Sequence, residues 1–205
     1  DGSNDYLEIP DSSDFDFGAS SGNTNDFTIE LWFYATTLSG DRVFIARNDH
    51  DGTDSEWWIR NDDNAYDYYR PKDTHGQIAT GVFETNKWTH LAVVREQTNV
   101  KVFVDGKLVS SVSNSQSWEL DSGSGIGHRL VIGARHTGSS YAQHFSGYMD
   151  EIRIVKGTAV YTGDFDVPTS RLTAITNTKL LIHSDKGGSD VFYGGGEGIA
   201  RTYSI

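Results

Sequence analysis

The chain has no cysteine among its 205 residues. That excludes a disulfide framework, thiolate metal sites and a cysteine nucleophile. It leaves the compartment open, because large secreted sandwiches can do without bridges. Proline is nearly absent as well: Pro10, Pro71 and Pro168 are the whole complement. Each falls in a loop or at the edge of an extended run, where a missing N–H is tolerated. No stretch of about 18 apolar residues exists, so no segment reads as a membrane-spanning helix. Cations are few, with 17 Lys and Arg against 29 Asp and Glu and a formal net charge of -12. They are scattered singly. Nucleic acid phosphates and anionic membranes both need basic clusters, so neither is an expected partner. An Asp-rich surface suits cation binding, solubility or both. No signal peptide is visible, and the opening Asp-Gly-Ser-Asn reads as the start of a mature or excised fragment.

Helical periodicity is also lacking. What the chain does have is period-two alternation and short apolar runs, separated by Gly, Asp, Asn and Ser clusters. Strands are predicted over 6–9, 27–35, 42–47, 56–60 and 88–95, with a weaker one over 66–70. In the second of these, Phe27, Ile29, Leu31 and Phe33 share one face, and Glu30, Trp32 and Tyr34 the other. Residues 100–104 and 107–112 flank Asp105-Gly106, the signature of a type I′ hairpin whose two central residues take positive φ. Further strands are predicted over 130–133, 147–155 and 180–183. Turn signals at this spacing favour an all-β chain folded as a two-sheet antiparallel sandwich. No repeat or composition break marks a second domain. The Gly-rich stretch from Gly187 to Ile205 reads as a tail, or as a last strand through Ile199 to Tyr203.

Six segments in order resemble the concanavalin A-like lectin/glucanase superfamily in its laminin G-like branch. They are DGSNDYLEIPD (1–11), DFTIELWFY (26–34), WTHLAVVR with VKVFVDGKLV (88–109), LVIGAR (130–135), FSGYMDEIRIVKG (145–157) and VYTGDFDVPTSRLTA (160–174). The resemblance covers about residues 1–185, leaving 186–205 as tail or final strand. It implies a jelly-roll β-sandwich. It also implies a setting among adhesins, carbohydrate-binding modules or appendage proteins of bacteriophages, and so an extracellular or virion-surface location. Fold alone does not carry function.

The same resemblance implies a structural Ca²⁺ where the N-terminal loop meets the Met-Asp-Glu strand. Asp5 and Asp150 are the expected ligands, with Asp1, Ser3 and Asn4 nearby, since hard cations gather carboxylate and carbonyl oxygens. Adjacent strand residues face opposite ways, so Glu151 is expected to point away from Asp150 and to meet a neighbouring Arg or hydroxyl. The bland alternative is that Asp150 caps a turn or pairs with a cationic side chain. A second acidic loop, Asn48 to Asp54, lacks the closing Glu of a calcium loop and reads as an ordinary polar hairpin loop.

Sugars present flat CH faces and many hydroxyls, so a glycan site needs exposed rings beside polar side chains. Trp57, Tyr68, Tyr69, Trp118 and His136 are the candidates. One ring of Trp57-Trp58 is expected to face outwards, and Tyr66, His128, Tyr141 and His144 lie in similar polar stretches. The alternative is that these rings pack under folded-back loops. Trp32, Trp88 and His90 read as core or sheet residues. The His spacing holds no compact zinc set.

A glycosidase of this fold would need alternating acids on one strand. Glu119-Leu120-Asp121 is the nearest match and lacks the third acid. Asp150-Glu151 has the wrong phase, and no Gly-x-Ser-x-Gly elbow or phosphate loop occurs. The leading expectation is therefore a non-catalytic module binding a glycan or cell-surface polymer. The alternatives are an appendage domain contacting other virion or adhesin subunits, and a glycoside hydrolase or polysaccharide lyase.

Overall fold

The computed structural model describes residues 4–17, 26–48, 57–63, 65–69, 76–80, 83–113, 129–137 and 139–184; for 48, 65–69 and 76–80 it describes the backbone path alone. Fourteen strands lie among these residues: β1 (Leu7–Ile9), β2 (Phe27–Ala35), β3 (Arg42–Asn48), β4 (Trp57–Asp62), β5 (Ala65–Tyr69), β6 (Gly76–Thr80), β7 (Trp88–Glu96), β8 (Asn99–Val104), β9 (Lys107–Ser113), β10 (Arg129–Ile132), β11 (Arg135–His136), β12 (Tyr141–Ala142), β13 (Gly147–Lys156) and β14 (Thr178–Ile182). One 3₁₀ turn, Ser13–Phe15, is the sole helical element among them. The expected strands are all present. β6 and the short β11–β12 pair carried too weak an alternation to be predicted.

The strands form two six-stranded antiparallel sheets. One has the order β1-β10-β3-β4-β5-β6, the other β14-β13-β2-β7-β8-β9, and β11 pairs with β12 separately. A single apolar core lies between the sheets. Phe27, Ile29, Leu31 and Phe33 of β2 and Leu91 and Val93 of β7 meet Phe44, Trp57, Ile59 and Leu130 of the facing sheet. This is the face that alternation in β2 predicted. The Asp105-Gly106 turn closes the β8–β9 hairpin with φ of 48° and 75°, as a type I′ turn requires.

The outer face of the second sheet is partly covered by residues 157–175. The Gly157 N–H donates to the Asp26 carbonyl at 2.6 Å and the Phe165 N–H to the Gly106 carbonyl at 2.9 Å. Tyr161 and Phe165 stack with ring centroids 3.6 Å apart. They pack over Ala92, Val94 and Phe103, a small apolar layer outside the sheet.

Beneath this strap lies a buried polar network. Arg153 Nε donates to Glu30 Oε1 at 2.8 Å, and the Tyr161 hydroxyl donates to Glu30 Oε2 at 2.8 Å. His90 Nε2 lies 3.2 Å from the same oxygen. Burial pushes the Glu30 carboxyl upward, but His90, Arg153 and Tyr161 together outweigh it and hold the carboxyl below its ordinary value. Burial and the Glu30 charge push the Tyr161 hydroxyl well up.

Candidate functional site

Beyond the strap, among the described residues, the outer face of the second sheet is uncovered and aromatic. Tyr148 of β13 lies opposite Tyr34 of β2, and Tyr34 opposite Trp88 of β7. Three strands far apart in sequence thus present one cross-strand row. Tyr148 is 66% exposed and Trp88 44%, with Tyr34 half-buried between them. The Tyr34–Tyr148 and Tyr34–Trp88 centroids are each 5.9 Å apart, with interplanar angles of 60° and 59°. Gly147 lets the row form: a Cβ there would lie 1.9 Å from the Tyr34 carbonyl oxygen, so β13 approaches β2 as only glycine permits.

Beside the row, Trp32, Trp88, Asp150 and Glu151 line a groove of about 500 Å³, closed on the strap side by residues 168–171. Asp150 and Trp32 belong to the next cross-strand row, Asp150–Trp32–His90. The Trp32 ring meets the buried His90 edge-on at 5.2 Å.

Both acids face this groove because β13 bulges. Asp150 pairs with Trp32 and Arg153 with Glu30, so Glu151 and Ile152 together stand opposite one residue of β2. Glu151 takes φ of +51°, as an inserted bulge residue can. Strict alternation, which predicted that Glu151 would point away from Asp150, fails here. Glu151 accepts the Leu172 N–H with Oε2 and faces His183 Nδ1 with Oε1 at 2.8 Å. Its partners are thus a backbone amide and a histidine, where an Arg or hydroxyl was expected, and it pins the strap that forms the groove wall. Arg153 reinforces the pin by donating to the Thr173 carbonyl at 2.9 Å.

Trp57 does not face solvent. It is 1% exposed, stacked into the core beside Phe17, with its indole N–H directed at the Phe15 carbonyl at 3.4 Å. Trp58 does lie on the opposite face, as alternation requires. Yet it is only 5% exposed, with the Arg60 and Arg135 guanidiniums over its ring at 5.4 and 4.6 Å. Neither ring is free to stack on a ligand. His136 is 6% exposed and packs edge-on against Tyr141. Tyr141 in turn stacks on Tyr6 at 3.8 Å and hydrogen-bonds Glu8. Burial lowers the nearby His144, with Asp5 opposing and Arg42 reinforcing the shift.

Tyr68 and Tyr69 lie in β5 opposite Ile59 and Trp58, but their side chains, like that of Tyr66, lie outside the described residues. Trp118, Glu119, Asp121, His128, the 49–54 loop, Asp1, Ser3 and the 186–205 tail also lie outside them. Trp88, by contrast, is an exposed member of the row, where the sequence reading had it in the sheet or core. Its signal was available: it opens a strand directly after the polar run Glu84-Thr85-Asn86-Lys87. Tyr34 was correctly put on the outward face of β2, but nothing local said that this face would stay uncovered.

Asp150 Oδ1 already accepts the backbone N–H groups of Glu151 and Ser184 at 2.7 and 2.9 Å, which is the capping role named as its alternative. Among the described residues no group of three or more His, Asp or Glu gathers to hold a cation.

Comparison with known proteins follows the same lines. A family model described as the concanavalin A-like lectin/glucanases superfamily matches residues 1–162. A candidate carbohydrate-binding protein from Bacteroides ovatus superposes with a TM-score of 0.61 at 16% identity, over 93% of this chain and 51% of that one. The chain thus spans about half the length of that protein. The CBM40 of a Ruminococcus gnavus IT-sialidase, bound to α2,3-sialyllactose, superposes with a TM-score of 0.52 at 11% identity, over 76% of this chain and 94% of that one. At these identities the likeness concerns the fold. No curated protein sequence matches the chain.

Proposed function

We propose that this chain, which belongs to the concanavalin A-like lectin/glucanases superfamily, is a non-catalytic module that binds glycans at a cell or virion surface. The observation that carries this reading is the uncovered Tyr148–Tyr34–Trp88 row beside the groove. Exposed aromatic clusters are disfavoured on soluble surfaces unless they meet something. Rings offer an apolar face for sugar CH groups, and Tyr and Trp add a polar handle for hydroxyls. Thr169, Ser170, Asp150 and Arg171 at the groove supply hydrogen-bonding groups. Two structures of similar fold are by name carbohydrate-binding or sugar-bound, which supports the same reading.

Catalysis has less support. Glu151 is committed through both oxygens to His183 and Leu172, which leaves Asp150, held through Oδ1 by two backbone amides, as a single carboxylate on the groove and not a pair. A general acid and a nucleophile would need free carboxyl oxygens facing the substrate.

A glycan array probed with the intact chain and with Trp88→Ala tests the proposal. Binding by the first that is lost in the second is the expected result. Array-wide silence, with concentration-dependent self-association that Tyr148→Ala abolishes, would make the row a protein interface and overturn the reading.

A further inference from the structure

We infer that the row takes a single neutral glycan chain, laid across β13, β2 and β7, and discriminates against acidic glycans. This rests on the glycan reading and names its ligand class.

The ring planes argue for a single chain. Successive rings in the row are inclined by 60° and 59°. No flat surface can lie against all three, so a crystalline polysaccharide face cannot engage the whole row. A soluble chain turns at each glycosidic linkage and can present successive faces to successive rings. The row crosses two inter-strand gaps, roughly 10 Å in all. That is longer than one sugar ring, so contacts accumulate as the chain lengthens beyond a monosaccharide.

The charge distribution argues for neutrality. Asp150 and Glu151 put two carboxyl groups on the groove. Arg171 is the single Lys or Arg in the groove lining, against those two carboxyl groups. Lys87, next to Trp88 in the chain, lies 3.4 Å from Asp105 and 3.8 Å from Glu84. An incoming carboxylate or sulfate would therefore meet more carboxylates than cations, on a chain of net charge -12. Desolvating an anion without a partner is costly, and the long-range field repels it before contact.

Calorimetric titration of the intact chain tests this. The probes are neutral gluco-, xylo-, manno- and galacto-oligosaccharides of one to six units, oligogalacturonates of equal length, and sialyllactose. The expected result is at least tenfold tighter binding to one neutral series than to any acidic probe. Affinity should rise with length beyond the monosaccharide and be lost in Trp88→Ala. High salt should narrow the neutral–acidic gap by screening. Acidic probes binding as tightly as neutral ones, and losing that binding in Trp88→Ala, would overturn the ligand class while leaving the glycan reading intact. Equal affinity for a monosaccharide and a hexamer, or tight pull-down by crystalline cellulose without affinity for soluble chains, would overturn the single-chain geometry. Silence toward every probe would remove the glycan reading and this inference together.

Discussion

Asp150 and Glu151, neighbours in β13, both line the groove beside Trp32, although adjacent strand residues ordinarily face opposite sides of a sheet. The bulge that brings them together also holds the strap, because Glu151 accepts the Leu172 amide and faces His183. Site shape and strap position therefore depend on the same residue. Glu151→Ala leaves that buried amide and His183 without their partner, at a cost of about 1–3 kcal/mol. Denaturant melts should show the loss, and Glu151→Gln, which keeps one acceptor, should recover part of it. Unchanged stability in the alanine variant would mean that the strap is held elsewhere.

The row should be dispensable for folding. Tyr148 is 66% exposed and makes an edge contact with Tyr34. Tyr148→Ala should change stability by no more than about 0.5 kcal/mol, as exposed positions do. Glycan affinity should fall several-fold. Equal loss of both would assign Tyr148 to packing rather than recognition.

Glu30 should be indispensable. Its carboxylate satisfies Arg153 and Tyr161 and lies beside His90 under the strap. Glu30→Ala strands a buried guanidinium, and breaking such a pair costs about 3–5 kcal/mol. Chemical denaturation should find the variant unfolded or barely folded at room temperature. A loss below about 1 kcal/mol would contradict a closed network.

The same network sets the pH range of stability. The folded-state Glu30 carboxyl lies below its ordinary value of 4.5. Its contribution is complete above that value and is lost as pH falls through the lower folded value, where the unfolded chain binds the proton first. The Tyr161 hydroxyl lies above its ordinary value of 10.0. Its contribution is complete below pH 10.0 and is lost as pH rises towards the folded value. Melting midpoints should form a plateau between these limits. In Tyr161→Phe the alkaline limb should be shallower and the acid limb retained. An alkaline limb identical in both proteins would place its origin outside the network.

Gly106 is the tightest point under the strap. A Cβ there would sit 2.1 Å from the Phe165 carbonyl oxygen, at a φ of +75°. Gly106→Ala meets a clash and a backbone strain together, and should cost more than about 2 kcal/mol. Thermal unfolding monitored by near-UV circular dichroism, which sees the Tyr161–Phe165 stack, would register it. A wild-type melting curve would show that the strap yields easily.

Much of the architecture was legible in the residues. The alternation of Phe27, Ile29, Leu31 and Phe33 predicted the buried face of β2, and Asp105-Gly106 predicted the hairpin and its turn type. Such features are local: side-chain direction repeats every two residues, and positive φ is a property of the turn residues themselves. Alternation also separated Trp57 from Trp58 correctly. It could not say that two guanidiniums would cover Trp58 while Trp88 stayed 44% exposed.

The sequence by itself determined that this chain is a β-sandwich of its superfamily, and which faces of its strands are apolar. Only the tertiary structure decided where the candidate site lies. Residues 34, 88 and 148 form one row because β2, β7 and β13 pair in a particular register. Asp150 and Glu151 share a groove because one inserted residue breaks the local period. Exposure depends on what packs over a face, and a distant segment supplies that cover, so no local pattern encodes it.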